Sequence, residues 1–403
     1  MSTPHALRPV APDLIRASRL QLNSLRAYYF FSYGALGGLF PYLPLLFSQR
    51  GLDARQISWA MTLIPLGNLL VPSLWGMVAD ALHARIPLLR IAAVGCAATA
   101  LLLWPGWGFA GAMVAMGALS LFRAPITSLI DAACVDALGG GRANFSEVRV
   151  WGSIGFAVYA FGLGQLGGSL NPAVLIAVTA GSYLVSALVT WPLRAPPLTR
   201  EPHILADSLA VVRKSQVLLF LVGNAVYYLG HACYDAYFSL HARQHGLGDA
   251  AVGAAWGIGV SVEIGVMLLA PRFIHVYRPG RLLTLSALVA VVRWLATALI
   301  DDGQLLVLVQ GLHGLTFGLW YLALVAFVQV RAPSRLRTSL QSITLSSLAV
   351  GGVAGYLVGG QVLHLAGGRV LYCLSAVAAA VAALLYLLAT RSAARDERPV
   401  AGA

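Results

Sequence analysis

Stretches of about 20 apolar residues recur along this chain, each ended by a short polar, glycine or proline turn. Twelve can be drawn. The first two run over about 23–47 and 56–79, and the last six over about 216–243, 250–271, 281–300, 304–330, 338–364 and 370–390. Each is long enough to cross a bilayer as a helix. In hydrocarbon no water bonds the backbone, so the spans must be helices. The alternative is a β-barrel, and the short alternating segments it needs are absent.

The longest polar interruption lies mid-chain, at 194–215, and reads as a cytoplasmic linker. It separates an N-terminal bundle, 23–193, from a C-terminal bundle, 216–390, with tails at 1–22 and 391–403. The expected fold is an all-α membrane protein: twelve transmembrane helices in two pseudo-symmetric six-helix bundles. The first 22 residues carry arginines and no separate apolar core, so a cytoplasmic tail is expected rather than a cleaved signal.

Composition agrees, since 59% of residues are hydrophobic and 10% charged. A soluble domain carries about 25% charged residues. The net charge of +12 would suggest nucleic acid, but its placement argues otherwise. With the N-terminus in the cytoplasm, twenty of the 27 Lys and Arg fall on the inner side. Four fall outside (Arg50, Arg55, Arg243, Arg369) and three within spans (Arg123, Arg149, Arg293). That is the positive-inside pattern. It implies an inner-membrane protein with both termini cytoplasmic, whose macromolecular surroundings are the lipid bilayer and no nucleic acid. No obligate protein partner is evident.

The four cysteines have no metal-ligand spacing. No phosphate-binding loop, dinucleotide fingerprint, zinc motif or nucleophile elbow is present. The expectation is a non-enzyme with no metal and no cofactor. With no ATP site, any transport would have to be driven by a gradient.

The chemistry lies in charges inside apolar sequence. Asp131 stands nine positions before Gly140 of the Gly139–Gly141 turn, and Arg149 nine after it. Antiparallel helices around that turn bring both to one level, roughly 10 Å inside the hairpin end. A lone ion there costs roughly 2.5–3.5 kcal/mol, so such groups usually mark a substrate or ion path. The C-terminal half repeats the arrangement. Arg293 and His313 each lie ten positions from Gly303, and Asp235 and Glu263 each fourteen from Asp249. Asp131, Asp235 and Glu263 balance Arg123, Arg149 and Arg293. Arg123 could snorkel or pair with Asp131. Tyr33, Tyr234 and Trp151 are candidate wall residues of an aromatic pocket, Trp151 foremost because it is two residues from Arg149. Small-residue stripes, Gly253-Gly257-Ser261-Gly265 and Gly351-Gly355-Gly359, mark close helix contacts.

Twelve spans in two halves around a basic linker resemble the major facilitator superfamily. The set Gly76, Asp80 and Arg85 looks like a degraded form of its loop 2–3 motif, with His83 and Ala84 where Gly and Arg are common. Phe145-Ser-Glu-Val-Arg-Val-Trp-Gly-Ser-Ile-Gly-Phe156 resembles the phenylpropionate permease and nucleoside–proton symporter group, related to lactose permease. The Tyr-Tyr-Phe-Phe-Ser-Tyr-Gly start at Tyr28 and the spacings of Asp131 to Arg149 and Arg293 to His313 match it too.

The resemblance implies a substrate site at Asp131 and Arg149 and a proton-linked network of Asp235, Arg293 and His313. It departs at Thr316, where the permease has its proton-carrying glutamate, and Glu263 is the expected replacement. It implies a loop 2–3 gate at Gly76, Asp80 and Arg85. The function expected is proton-coupled symport of a small organic solute by alternating access, driven by a proton gradient. An aromatic carboxylate is favoured on the resemblance, while the residues suit a sugar or nucleoside as well. An exporter on the same fold, or a non-transporting membrane sensor, are the alternatives.

Overall fold

The computed structural model describes residues 19–82, 84–104, 106, 108–138, 142–166, 171–193, 212–273, 276–332 and 336–396. Among these the chain is helical throughout. In order come α1 (Arg19–Leu39), α2 (Leu43–Gln49), α3 (Ala54–Leu82), α4 (Arg85–Leu101), α5 (Gly108–Ala137), α6 (Arg142–Gly164) and α7 (Pro172–Val189). Then follow α8 (Ser215–Gln244), α9 (Asp249–Phe273), α10 (Pro279–Leu299), α11 (Gly303–Val309), α12 (Leu319–Arg331) and α13 (Arg337–Asp396). The Gly139–Gly141 turn, most of the expected linker and the outer parts of both tails lie outside the described residues.

Ten segments among the described residues are long and apolar enough to cross a membrane. Two features separate ten from the expected twelve. The last segment, Ser339–Arg391, has 53 residues. As one helix it would reach about 80 Å, well beyond a bilayer. Gly367, at φ 80° and ψ 175°, divides it. Only glycine takes that backbone without steric cost. The second feature is α6, 23 residues long with Arg142, Glu147 and Arg149 on it, which is not among the ten. Counting α6 as a traverse and α13 as two restores the expected number.

Local chemistry explains several ends. Pro41 and Pro44 split the first traverse, and Pro44 falls in the first turn of α2, where its missing N–H is no loss. Asp53 and Gln56 form a reciprocal cap on α3, with Gln56 N donating to Asp53 Oδ1 at 2.8 Å and Asp53 N to Gln56 Oε1 at 3.1 Å. Asp302 accepts from Leu305 N at 2.8 Å, so the Asp301–Gly303 turn starts α11 as its sequence suggests.

The two halves meet most closely at the end farthest from the chain termini. There α6 crosses α9. A Cβ on Gly253 would lie 2.6 Å from the Ala160 carbonyl and 3.2 Å from Gly164 Cα. Tyr42 wedges beside the crossing, donating to the Ala160 carbonyl at 2.5 Å. Phe156 packs on Trp256 at 5.8 Å, and Gly352 of α13 meets Pro65 of α3. The expected stripe on α9 is thus used at Gly253 and Gly257, while Gly265 faces open space. The stripe on α13 packs on α8 along its length, Gly355 against the Leu229 carbonyl and Gly359 against Tyr237. Toward the termini, α3 loses its cover: Leu74, Met77, Val78 and Leu82 are exposed.

Gly253→Val is therefore expected to hold the far end apart. A cysteine placed at Ala160 should then react several-fold faster with a membrane-impermeant maleimide. Unchanged reactivity would show that the crossing tolerates bulk.

Candidate functional site

Asp131 stands six residues before the end of α5 and Arg149 seven after the start of α6. At about 1.5 Å per residue, both lie about 10 Å inside the hairpin end. Among the described residues no ion pair within 4 Å joins them. Two tyrosines of α1 stand between. Tyr29 donates to Asp131 Oδ1 at 2.5 Å. Tyr33, one turn on, lies under the Arg149 guanidinium at 5.4 Å and pairs through its hydroxyl with Thr127 at 3.4 Å. The two rings are 6.0 Å apart. Helix α1 can come so near because α6 offers glycine: a Cβ on Gly152 would lie 3.1 Å from the Tyr33 ring.

Several sequence expectations are placed elsewhere. Arg123 donates to Asn68 of α3 at 3.1 Å rather than pairing with Asp131. Trp151 falls on the outward stripe of α6 with Val158 and Phe161 and is 40% exposed. Two residues are about 200° of helical rotation, so nearness to Arg149 in sequence means opposition in space. Tyr234 sits under Arg293, with its ring 4.2 Å from the guanidinium, and so belongs to the C-terminal half's core. Gly76 faces open space, while the Asp80 side chain and His83 lie outside the described residues.

Arg293 of α10 is fully buried. No carboxylate lies within 4 Å of it among the described residues. Its guanidinium donates to Gln310 Oε1 at 2.9 and 3.2 Å, Thr316 Oγ1 at 2.9 Å and His313 Nδ1 at 3.2 Å. Arginine only donates, so His313 Nδ1 accepts and the ring carries its proton on Nε2. That nitrogen faces Glu263 Oε2 of α9 at 3.4 Å. Asp235 does not reach Arg293 directly. It lies 3.5 Å from the Tyr228 hydroxyl and 3.8 Å from His231 Nε2.

The backbone bends to build this cluster. After α11 the tenth traverse tightens to a 3₁₀ turn, Gln310–Leu312, then widens to a π-helix, Gly314–Gly318. Such segments recur at functional sites. Here they turn Gln310, His313 and Thr316 toward one guanidinium. Gly314 and Gly318 let the widened turn lie on Glu263: a Cβ on Gly314 would be 2.7 Å from Glu263 N. Tyr227 donates to the Thr316 carbonyl. The halves also touch here, with Tyr321 of α12 near Arg149 and Ser153 of α6 near Glu263. Two small spaces at the far end, one beside Phe47 and Arg50, the other beside Tyr42 and Asp249, lie away from these charges.

Residues 22–374 match the MFS_1 like family. The chain belongs to that family. It is 26% identical over 336 residues to the maltose permease of Geobacillus stearothermophilus, covering 82% of this chain and 84% of that one. It is 27% identical over 334 residues to the probable 3-phenylpropionic acid transporter of Escherichia coli (strain K12), covering 80% and 85%. Its fold is that of the nucleoside transporter NupG, with TM-score 0.80 at 17% identity over 93% of this chain and 100% of that one.

The protein is thus a multi-pass secondary transporter of the major facilitator superfamily. It moves a small molecule, needs no cofactor and is not an enzyme. Three groups at its centre escape the sequence reading: Tyr29, Gln310 and His231. Tyr29 shares a helical face with Tyr33, one turn on, and that spacing was a usable signal. Gln310 and His231 had none, because only the distorted tenth traverse and the fold of α8 give them their charged neighbours.

Proposed function

We propose that this transporter is a proton-coupled symporter of a small organic carboxylate, preferably aromatic, working by alternating access with both termini cytoplasmic. One observation carries the reading. Arg149 keeps its guanidinium over the face of Tyr33, and Asp131, at its level on the neighbouring helix, is engaged by Tyr29. A half-buried guanidinium with no carboxylate within 4 Å among the described residues suits an incoming one, which it can grip with two parallel bonds. Tyr33 supplies an aromatic wall for the rest of the solute. The relative named as a 3-phenylpropionic acid transporter supports that class, while the relatives named for maltose and nucleosides keep a hydroxyl-rich solute as the second reading.

Glu263 and His313 supply the proton side. Thr316 binds Arg293 instead of carrying a proton, and Glu263 reaches His313 from the neighbouring helix. The tight Gly164–Gly253 crossing is read as the closed gate of one end state of the cycle. Asp80 and Arg85 retain their proposed gate role in the loop 2–3 motif.

The test is uptake by proteoliposomes with an acidic exterior. Labelled 3-phenylpropionate is expected to accumulate, and maltose and uridine are not. Maltose or uridine accumulating instead would overturn the carboxylate assignment. Accumulation only with the gradient reversed would make the protein an exporter, and saturable binding without flux would make it a sensor.

A further inference from the structure

The C-terminal half holds a second imidazole beside the first. His231 lies on α8, one turn before Asp235, and is 1% exposed. Its Nε2 is 3.8 Å from Asp235 Oδ1, and its Nδ1 has no hydrogen-bond partner. The ring stacks on Phe317 at 5.2 Å and lies 5.4 Å from the His313 ring. Burying a polar nitrogen without a partner is costly, and packing alone would be served better by phenylalanine. The arrangement mirrors His313 with Glu263, and Arg293 stands beside both couples with no carboxylate within 4 Å.

We propose that His231 is a positioning residue that holds Asp235 ready to take a proton, making Asp235–His231 a second proton-accepting couple parallel to Glu263–His313. Each carboxylate has its own cation nearby, Arg293 for Asp235 and Arg149 of α6 for Glu263, so the two couples can take up protons separately. A pair on neighbouring turns of one helix keeps its geometry while helices move past each other. Glu263–His313 spans α9 and the tenth traverse and depends on their packing. Asp235 is also the more accessible carboxylate, its side chain 14% exposed against 8% for Glu263. The charged and titratable groups around the second couple are Arg293 of α10, His313 of the tenth traverse, Tyr228, Cys233 and Tyr234 of α8 itself, and Tyr356 and Tyr372 of α13. Arg123 of α5 acts on it at longer range, through Tyr228.

The proposal rests on the proton-linked reading of Asp235, and its test uses no solute, so it can fail separately from the carboxylate assignment. The purified transporter in liposomes is compared by infrared difference spectroscopy between mildly acidic and mildly alkaline buffer. Two carboxylic-acid bands are expected. Glu263→Gln should remove one and Asp235→Asn the other. His231→Gln should shift the Asp235 band and leave the Glu263 band in place. Asp235→Glu, which keeps the acid, covers the case in which the asparagine variant fails to fold, and should move that same band. A single titrating band that disappears in Glu263→Gln, or an Asp235 band indifferent to His231→Gln, would overturn the proposal.

Discussion

Arg149→Ala is expected to abolish accumulation of 3-phenylpropionate in proteoliposomes, with the protein still folded by thermal melting. Arg149 stands over Tyr33 with Tyr321 at its guanidinium and shares no ion pair with Asp131, and thermal melting checks that its removal leaves the fold intact. What is lost is the solute's anchor. Each hydrogen bond to a charged group contributes about 1.5–3 kcal/mol. Two parallel bonds to one carboxylate therefore correspond to a loss of roughly a hundredfold to ten-thousandfold in affinity. Arg149→Lys should recover only part of this, because an ammonium keeps the charge but not the planar fork. Binding measured by calorimetry separates this from a stalled cycle. Near-wild-type affinity in Arg149→Ala would remove Arg149 from the solute site.

The fold was legible because membrane insertion leaves the sequence few choices. Apolar length and the requirement for internal hydrogen bonds announced the helices, and the polar and glycine turns announced most of their ends. Equal spacing about a turn put Asp131 and Arg149 at one level because helical rise is constant. Spacing reports height and rotation on one helix and does not say which neighbour fills a gap. Hence the apparent pairing of Asp131 with Arg149 becomes, in three dimensions, a pairing of each with a tyrosine of α1. Trp151 shows the same limit from the other side: adjacency along the chain was given weight that helical rotation removes. The tenth traverse was beyond reach for a different reason. Its 3₁₀ and π turns depend on Gly314 and Gly318 lying against Glu263 of another helix, and no local propensity encodes that contact.

Glu263→Gln is expected to uncouple transport from the proton gradient while sparing exchange. Glutamine has the size of the protonated acid and no charge, so the variant is held permanently in the proton-loaded form. His313 can still donate from Nε2 to the amide oxygen, and Arg293 keeps Gln310, Thr316 and His313 Nδ1 as acceptors, so the cluster retains its shape. A carrier in that form can cross with solute in both directions but cannot return unloaded, because no proton can be released. With one proton per solute, a gradient of one pH unit sustains about tenfold accumulation, the ratio that 1.4 kcal/mol supports. In Glu263→Gln that ratio should fall to about one, while counterflow of labelled against unlabelled 3-phenylpropionate stays near the wild-type rate. A structural role for Glu263 would depress both assays together. If Asp235 also accepts protons, Asp235→Asn should lower accumulation in the same selective way. Full accumulation in Glu263→Gln would place the coupling proton elsewhere and leave His313–Glu263 as a packing contact between α9 and the tenth traverse.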